Sequence, residues 1–200
     1  MNKWSLRDWV YVAVFGALWG AVEISLGAYL HILFPPLTNT FFNGLVLTTL
    51  GVDIALIGRR FVPRPGAVLM IGVVTALLKL LSLGGVKVGP LVAILAESAL
   101  MEIALLLGHG PSLVNCVLAG ALAFAWNAVH PFIMLPLLFG QRLGQVYVKL
   151  VKDGAATIGL DVRQGVLILL VLLLIRVAVG GAAGWLAWGL GETVRRRVGK

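Results

Sequence analysis

From Gly165 to Leu190 the chain carries one charged side chain, Arg176, and the residues immediately before it, Val166 to Ile175, are all aliphatic. A helix needs about 20 apolar residues to cross the roughly 30 Å hydrocarbon core of a bilayer. A run this long reads as a membrane span, and the rest of the chain repeats the pattern. Of the 200 residues, 60% are hydrophobic and 12% are charged, against about 25% charged in soluble domains. Mean hydropathy is +1.02. These features predict an all-α polytopic membrane protein, a single integral membrane domain over residues 1–200. Its expected form is a six-transmembrane-helix bundle with spans near 9–30, 41–58, 66–84, 88–108, 112–138 and 164–190.

The breaks between runs carry turn chemistry or charge. Phe34-Pro35-Pro36 closes the first hairpin, Arg59-Arg60 through Pro63-Arg64-Pro65 ends the second span, Gly84-Gly85 divides the third from the fourth, and Gly108-His109-Gly110-Pro111 divides the next pair. Short connections make sequence neighbours antiparallel. An even number of spans puts both termini on one side, which collects Lys3, Arg7, Arg59, Arg60, Arg64, Arg195, Arg196, Arg197 and Lys200. The other side holds Lys87, Arg142, Lys149, Lys152 and Arg163. The positive-inside rule then places both termini in the cytoplasm, with Trp4, Trp9, Trp185 and Trp188 at the inner interface. The net charge of +8 follows from this topology. The basic residues sit at the ends of apolar runs and form no nucleic-acid patch. Cys116 is the single cysteine, so neither a disulfide nor a cysteine metal site is expected. The N-terminal run is too long for a signal peptide and lacks a clear small-x-small cleavage site, so it is expected to be retained.

The connection 139–163 repeats Leu143, Val146, Tyr147, Leu150 and Val151 at helical spacing, with Gln145, Lys149 and Lys152 opposite. That predicts an amphipathic helix between spans 5 and 6, lying on the bilayer or across the outer mouth. A purely interfacial role is the plainer account.

Six ionisable residues fall inside the predicted spans: Glu23, Asp53, Lys79, Glu97, Glu102 and Arg176. Each costs a few kcal/mol at mid-depth unless paired or wetted. At 1.5 Å per residue from the outer ends, Lys79 lies ~8 Å deep, Glu23 ~10 Å, His130 ~12 Å, Glu97 ~14 Å, Asn127 ~16 Å, and Glu102 and Arg176 ~20 Å. These groups are expected to share the outer half of the membrane, with Asp53 nearer the inner side. Trp126, Asn127 and His130 share a helical face above Pro131, offering an indole, an amide and an imidazole to a small polar ring. Glu97 and Glu102 point apart, so one of them is expected to pair with Arg176. Glu23, Lys79, Glu97, Trp126, Asn127, His130 and Arg176 are therefore the candidate substrate-binding residues. Each has a plainer account as well. Lys79 and Glu23 could snorkel to the headgroups, Arg176 could serve a structural pair, and the Trp126 face could be packed core.

The first span carries Ala13, Ala17 and Ala21 four residues apart, a ridge on which a helix can approach closely. Gly16, Gly20 and Gly27 form a second seam beside Glu23. One side is thus fitted to pack inward while the other is free for a partner.

Length, six spans, the AxxxA ridge, the outer polar residues, and the stretch Gly89-Pro90-Leu91-Val92-Ala93-Ile94-Leu95-Ala96-Glu97 continuing to Glu102 and Gly108 together resemble one family. It is the substrate-binding S components of energy-coupling factor (ECF) transporters, and the stretch is similar to the fourth helix of the thiamine-precursor branch. The resemblance implies a prokaryotic cell-membrane protein that binds a vitamin-like ligand in an outward-facing pocket. It also implies a transmembrane T component docked on Ala13, Ala17 and Ala21, and two cytoplasmic ATPases that drive toppling. No cofactor or metal is implied, and the chain contains no P-loop motif of its own. The mixed signs of the candidate pocket point to a small heteroaromatic or zwitterionic ligand.

Other readings stay open. An ion-coupled secondary carrier would use Glu23, Glu97 or Asp53 as a proton site, but neither an inverted repeat nor paired broken helices are visible. An intramembrane enzyme is disfavoured because HExxH and GxSxG are absent and no two carboxylates share a helical face. A membrane assembly protein would use the same polar groups only to hold helices together.

Overall fold

The computed structural model describes residues 3–33, 40–81 and 88–198, with side chains described except over 27–33, 40–43, 195 and 198. The described residues form helices α1 (Leu6–Leu33), α2 (Thr40–Phe61), α3 (Ala67–Leu80), α4 (Val88–Leu107), α5 (Leu113–Phe139), α6 (Leu143–Ile158) and α7 (Gly165–Val198), and no strand occurs among them. The expected breaks at Phe34-Pro35-Pro36 and Gly84-Gly85, and Lys87, lie outside the described residues.

Four stretches are long and apolar enough to cross a membrane: Leu6–Leu26, Val88–Leu107, Leu113–Phe139 and Val162–Val194. Helix α3 is apolar but has 14 residues, so its axis is about 21 Å long. Helix α2 carries Asp53, Arg59 and Arg60 within its 22 residues. Two helices overrun the apolar runs that announce them. Helix α2 continues through Arg59 and Arg60, and α7 runs on past Leu190 through Arg196 and Arg197. Hydropathy marks where apolar surface stops, whereas backbone hydrogen bonding continues through arginine, a good helix former.

Local chemistry sets the helix ends. Ser5 and Asp8 form a reciprocal cap on α1, with Asp8 N–H donating to Ser5 Oγ at 3.2 Å and Ser5 N–H to Asp8 Oδ2 at 2.9 Å. Ser112 caps α5, and the Asn115 amide ties the preceding turn by donating to the carbonyls of Gly108 and Gly110 at 2.7 and 2.6 Å. Gly140 and Gly159 bracket α6 and take the left-handed conformation that ends a helix.

The helices pack as a ring: α1 on α2 and α3, α3 on α4, α4 on α5, α5 on α7, and α7 back on α2, which also touches α3 and α5. One core runs through the ring, from Val12 and Trp19 through Leu56 and Ile71 to Met101 and Phe124. Lipid tails are as apolar as leucine, so close backbone approach supplies much of the association. At the α5–α7 crossing a Cβ on Gly120 would stand 2.1 Å from the Gly180 carbonyl oxygen, and one on Gly184 2.0 Å from that of Cys116. Gly16 and Gly20 of α1 face Val74 and Leu78 of α3, where the Thr75 hydroxyl donates to the Gly16 carbonyl at 3.0 Å. Two residues of the expected glycine seam therefore face inward; the surroundings of Gly27 lie outside the described residues. Ala13, Ala17 and Ala21 are exposed on the far side of α1, among exposed Val10, Val14 and Leu18.

Helix α6 forms where amphipathicity predicts, but its buried face differs from the expected one. Val146, Val151, Gly154 and Ala155 are buried, while Leu143 is 63% exposed and Tyr147 is also exposed. The face is set by α7, because Val151, Ala155 and Ile168 make a small separate cluster and Gly154 lets Ile168 and Leu172 come close.

Candidate functional site

Pro131 and Pro136 interrupt the hydrogen-bond ladder of α5. Having no N–H, Pro131 cannot serve the Asn127 carbonyl, which a continuous helix would satisfy from that position. The residues around this break, Asn127 to Phe132, line a cavity of about 650 Å³. Helix α2 contributes Gly44 and Leu47, α4 contributes Pro90 and Ala93, α6 contributes Leu150, Asp153 and Gly154, and α7 contributes Arg176 and five aliphatic residues between Val166 and Leu173. A second cavity of about 570 Å³ adjoins it and shares Pro90, His130, Pro131, Leu150 and Asp153. Its other walls are mostly apolar, including Met134, Leu135, Leu138 and Phe139.

Behind the first cavity runs a chain of buried polar groups. Arg176 donates from Nη1 to the Asn127 amide oxygen. The same amide donates through Nδ2 to Thr48 Oγ1 at 3.1 Å and to Glu97 Oε1 at 3.3 Å, and the Thr48 hydroxyl also donates to Glu97 Oε1 at 3.4 Å. The amide sits between the Arg176 guanidinium and the Glu97 carboxyl group and hydrogen-bonds both, which joins helices α7, α5 and α4. Space for this arrangement comes from α2. A Cβ on Gly44 would lie 2.9 Å from Asn127 Oδ1 and 3.5 Å from Arg176 Nη1. Gly44 and Thr48 are one turn apart, and sequence reasoning passed over both. Glycine and threonine are unremarkable in a membrane helix, and only their spacing places them on one face.

His130 Nε2 lies 2.9 Å from the Gly89 carbonyl oxygen. A carbonyl can only accept, so Nε2 carries the proton in this contact, and in the neutral ring Nδ1 is left as an acceptor. Trp126 packs edge-on to His130 with centroids 6.0 Å apart, and its indole N–H is buried with no hydrogen-bond partner.

Of the seven candidate binding residues, Asn127, His130 and Arg176 line the first cavity, and Glu97 is joined to them through Asn127. Trp126 touches the ring of His130 but lines neither cavity. Glu23 and Lys79 also line neither. They face each other between α1 and α3, where Lys79 Nζ donates to the Glu23 carbonyl at 2.7 Å and lies 3.4 Å from Oε2. Both side chains are largely buried, so this is a helix pair and not a pair of snorkelling termini.

Glu102 departs from the expected outer cluster. Its two oxygens accept from the backbone N–H groups of Gly66 at 2.7 Å and Val68 at 2.8 Å, at the start of α3. That end has no side-chain cap of its own, and a buried carboxylate satisfies both the free donors and the positive end of the helix dipole. Of the two glutamates of α4, Glu97 is thus the one linked to Arg176. Asp53 keeps one buried carboxylate oxygen without a hydrogen-bond partner. Asp153 of α6 is a further lining residue, exposed to solvent, that sequence reasoning passed over.

The chain matches no protein family, no curated protein and no solved structure among those compared with it.

Proposed function

We propose that this chain is a six-span bundle in the prokaryotic cell membrane, with both termini cytoplasmic, acting as the substrate-binding subunit of an ECF-type uptake transporter. The observation that carries the reading is the cavity of about 650 Å³ into which Arg176, Asn127 and His130 converge among otherwise mostly apolar walls. A largely apolar concavity of a few hundred Å³ with a few convergent polar groups is the usual form of a small-molecule site. In this reading α2 and α3 complete the six spans with the four longer apolar helices, and α6 lies over the outer mouth. The lining accommodates a small heteroaromatic or zwitterionic, vitamin-like ligand. Stacking and apolar contact would come from Phe132, the leucines of α7 and Pro131, and charge complementarity from Arg176.

Partners follow from the exposed ridge. Ala13, Ala17 and Ala21 present small side chains on an outward face of α1, which allows close approach of a helix from a transmembrane T component. Two cytoplasmic ATPases would supply the energy. Native mass spectrometry of the protein purified in nanodiscs tests the binding role. A co-purifying small molecule is expected, and Arg176→Gln and His130→Ala should lower its occupancy. Absence of any bound small molecule from the wild-type protein, or full occupancy in both variants, overturns the site. An ATP-independent uptake of substrate by the purified protein under an ion gradient would favour a secondary carrier in its place.

A further inference from the structure

The two adjoining cavities share one carboxylate, Asp153. It stands on α6 between Leu150 and Gly154, which also face the first cavity, and its side chain makes no ion pair among the described residues. Lys149, one turn earlier, lines the outer cavity only, and no ion pair joins the two. Gly154 rests on Ile168 and Leu172 of α7, which fixes the level of Asp153 along that helix. Arg176 is four residues beyond Leu172, so its backbone lies about 6 Å deeper along the axis. Between the two charges the walls are apolar: Leu169, Leu172, Leu173, Phe132 and Pro131. His130, the remaining titratable lining group of the first cavity, already donates to a backbone carbonyl.

We propose that the cavity takes a dipolar ligand in one orientation, its anionic group deep at Arg176, its apolar or aromatic body along α7, and its cationic group at the mouth against Asp153. Asp153 is then the residue that selects a zwitterion over a plain anion of the same shape. This rests on the binding reading above and adds ligand charge and direction to it. A cation entering alone would meet Arg176. An anion entering alone would engage Arg176 but gain nothing at Asp153, which is exposed to solvent. Only a ligand carrying both charges, separated by at least a helical turn, satisfies the two ends together.

Three compounds of one shape test the idea: para-(aminomethyl)benzoate, a zwitterion; para-toluate, an anion; and para-methylbenzylamine, a cation. Their affinities are measured by ligand-observed NMR titration of the protein in nanodiscs. Wild-type protein should bind the zwitterion about two- to fivefold more tightly than para-toluate, the range of an ion pair with a solvent-exposed carboxylate, and more than about tenfold more tightly than para-methylbenzylamine, which forgoes the buried Arg176. Asp153→Asn should reduce the zwitterion to the level of the anion and leave the affinity for para-toluate unchanged, whereas Arg176→Gln should weaken both. Retained preference for the zwitterion in Asp153→Asn, or equal binding of zwitterion and anion by wild-type protein, overturns this inference while leaving the cavity as a binding site. Indifference of every compound to Arg176→Gln, or no binding of any of them to wild-type protein, overturns both.

Discussion

Replacing Glu102 with glutamine should loosen the start of α3 without touching the cavity. The carboxylate is 3% exposed and accepts two backbone N–H bonds at 2.7 and 2.8 Å. Glutamine is nearly isosteric but keeps only one acceptor oxygen and turns an NH2 group toward the other amide. One charge-assisted bond is lost, worth about 1.5–3 kcal/mol net. The favourable contact of a negative charge with the helix N-terminus, about 0.5–1 kcal/mol, is lost as well. The sum is about 2–4 kcal/mol, concentrated in one turn of helix. Hydrogen exchange followed by mass spectrometry reads this directly. Amides of residues 66–70 should exchange about 30- to 1000-fold faster by that arithmetic, those of α5 should be unchanged, and the thermal midpoint in detergent should fall. Ligand occupancy should stay at the wild-type level. Wild-type exchange at the start of α3 would refute the capping role, and a selective loss of ligand would return Glu102 to the cavity.

Other expectations follow from the same contacts. Gly120→Ala forces a Cβ against the Gly180 carbonyl and should destabilise the α5–α7 crossing by several kcal/mol in thermal melts, whereas Gly189→Ala, with nothing within 4 Å, should stabilise α7 by about 0.5–1 kcal/mol. Lys79→Met strands Glu23 between α1 and α3 and should cost about 3 kcal/mol; adding Glu23→Gln should recover most of it, and neither change should alter ligand occupancy. Ala13→Leu with Ala17→Leu should leave melting and occupancy intact and abolish co-purification with a transmembrane partner, the result that separates a docking ridge from a lipid-facing one. Gly159→Ala meets open space but has φ of 72°, so it should cost about 1 kcal/mol through strain alone, visible as faster exchange at the end of α6.

Long helices were legible because hydropathy and turn residues mark them. The expected spans 88–108 and 112–138 differ by a residue or so from α4 and α5. Their polar neighbours were less legible, because pairing depends on rotation and level of helices relative to one another, which one chain's periodicity does not give. Glu102 illustrates this. A count along α4 places it level with Arg176, but the free N–H groups of Gly66 and Val68 lie closer than any guanidinium. The same limit hid Thr48 and Gly44, ordinary residues made important by the amide opposite them. The inward glycines of α1 could be read because a glycine seam and an alanine ridge are distinct stripes on one helix.

Glu23, Lys79, Glu97, Glu102 and Arg176 divide by what compensates them. Glu23 and Lys79 neutralise each other between two helices, and Glu102 neutralises the end of a third. Glu97 and Arg176 are joined through an uncharged amide, with Arg176 on the cavity side of the chain and Glu97 on the far side. The amide bridge holds the Arg176 guanidinium in place and leaves its charge facing the cavity. In a low-dielectric surrounding a guanidinium so placed favours an anionic group against it more than water would allow. Asn127 is therefore the residue that holds Arg176 at the cavity wall. Replacing it with leucine should cost both stability and ligand occupancy, whereas glutamine, with the same amide on a longer stem, should preserve more of the stability than of the occupancy because it moves the guanidinium relative to the cavity.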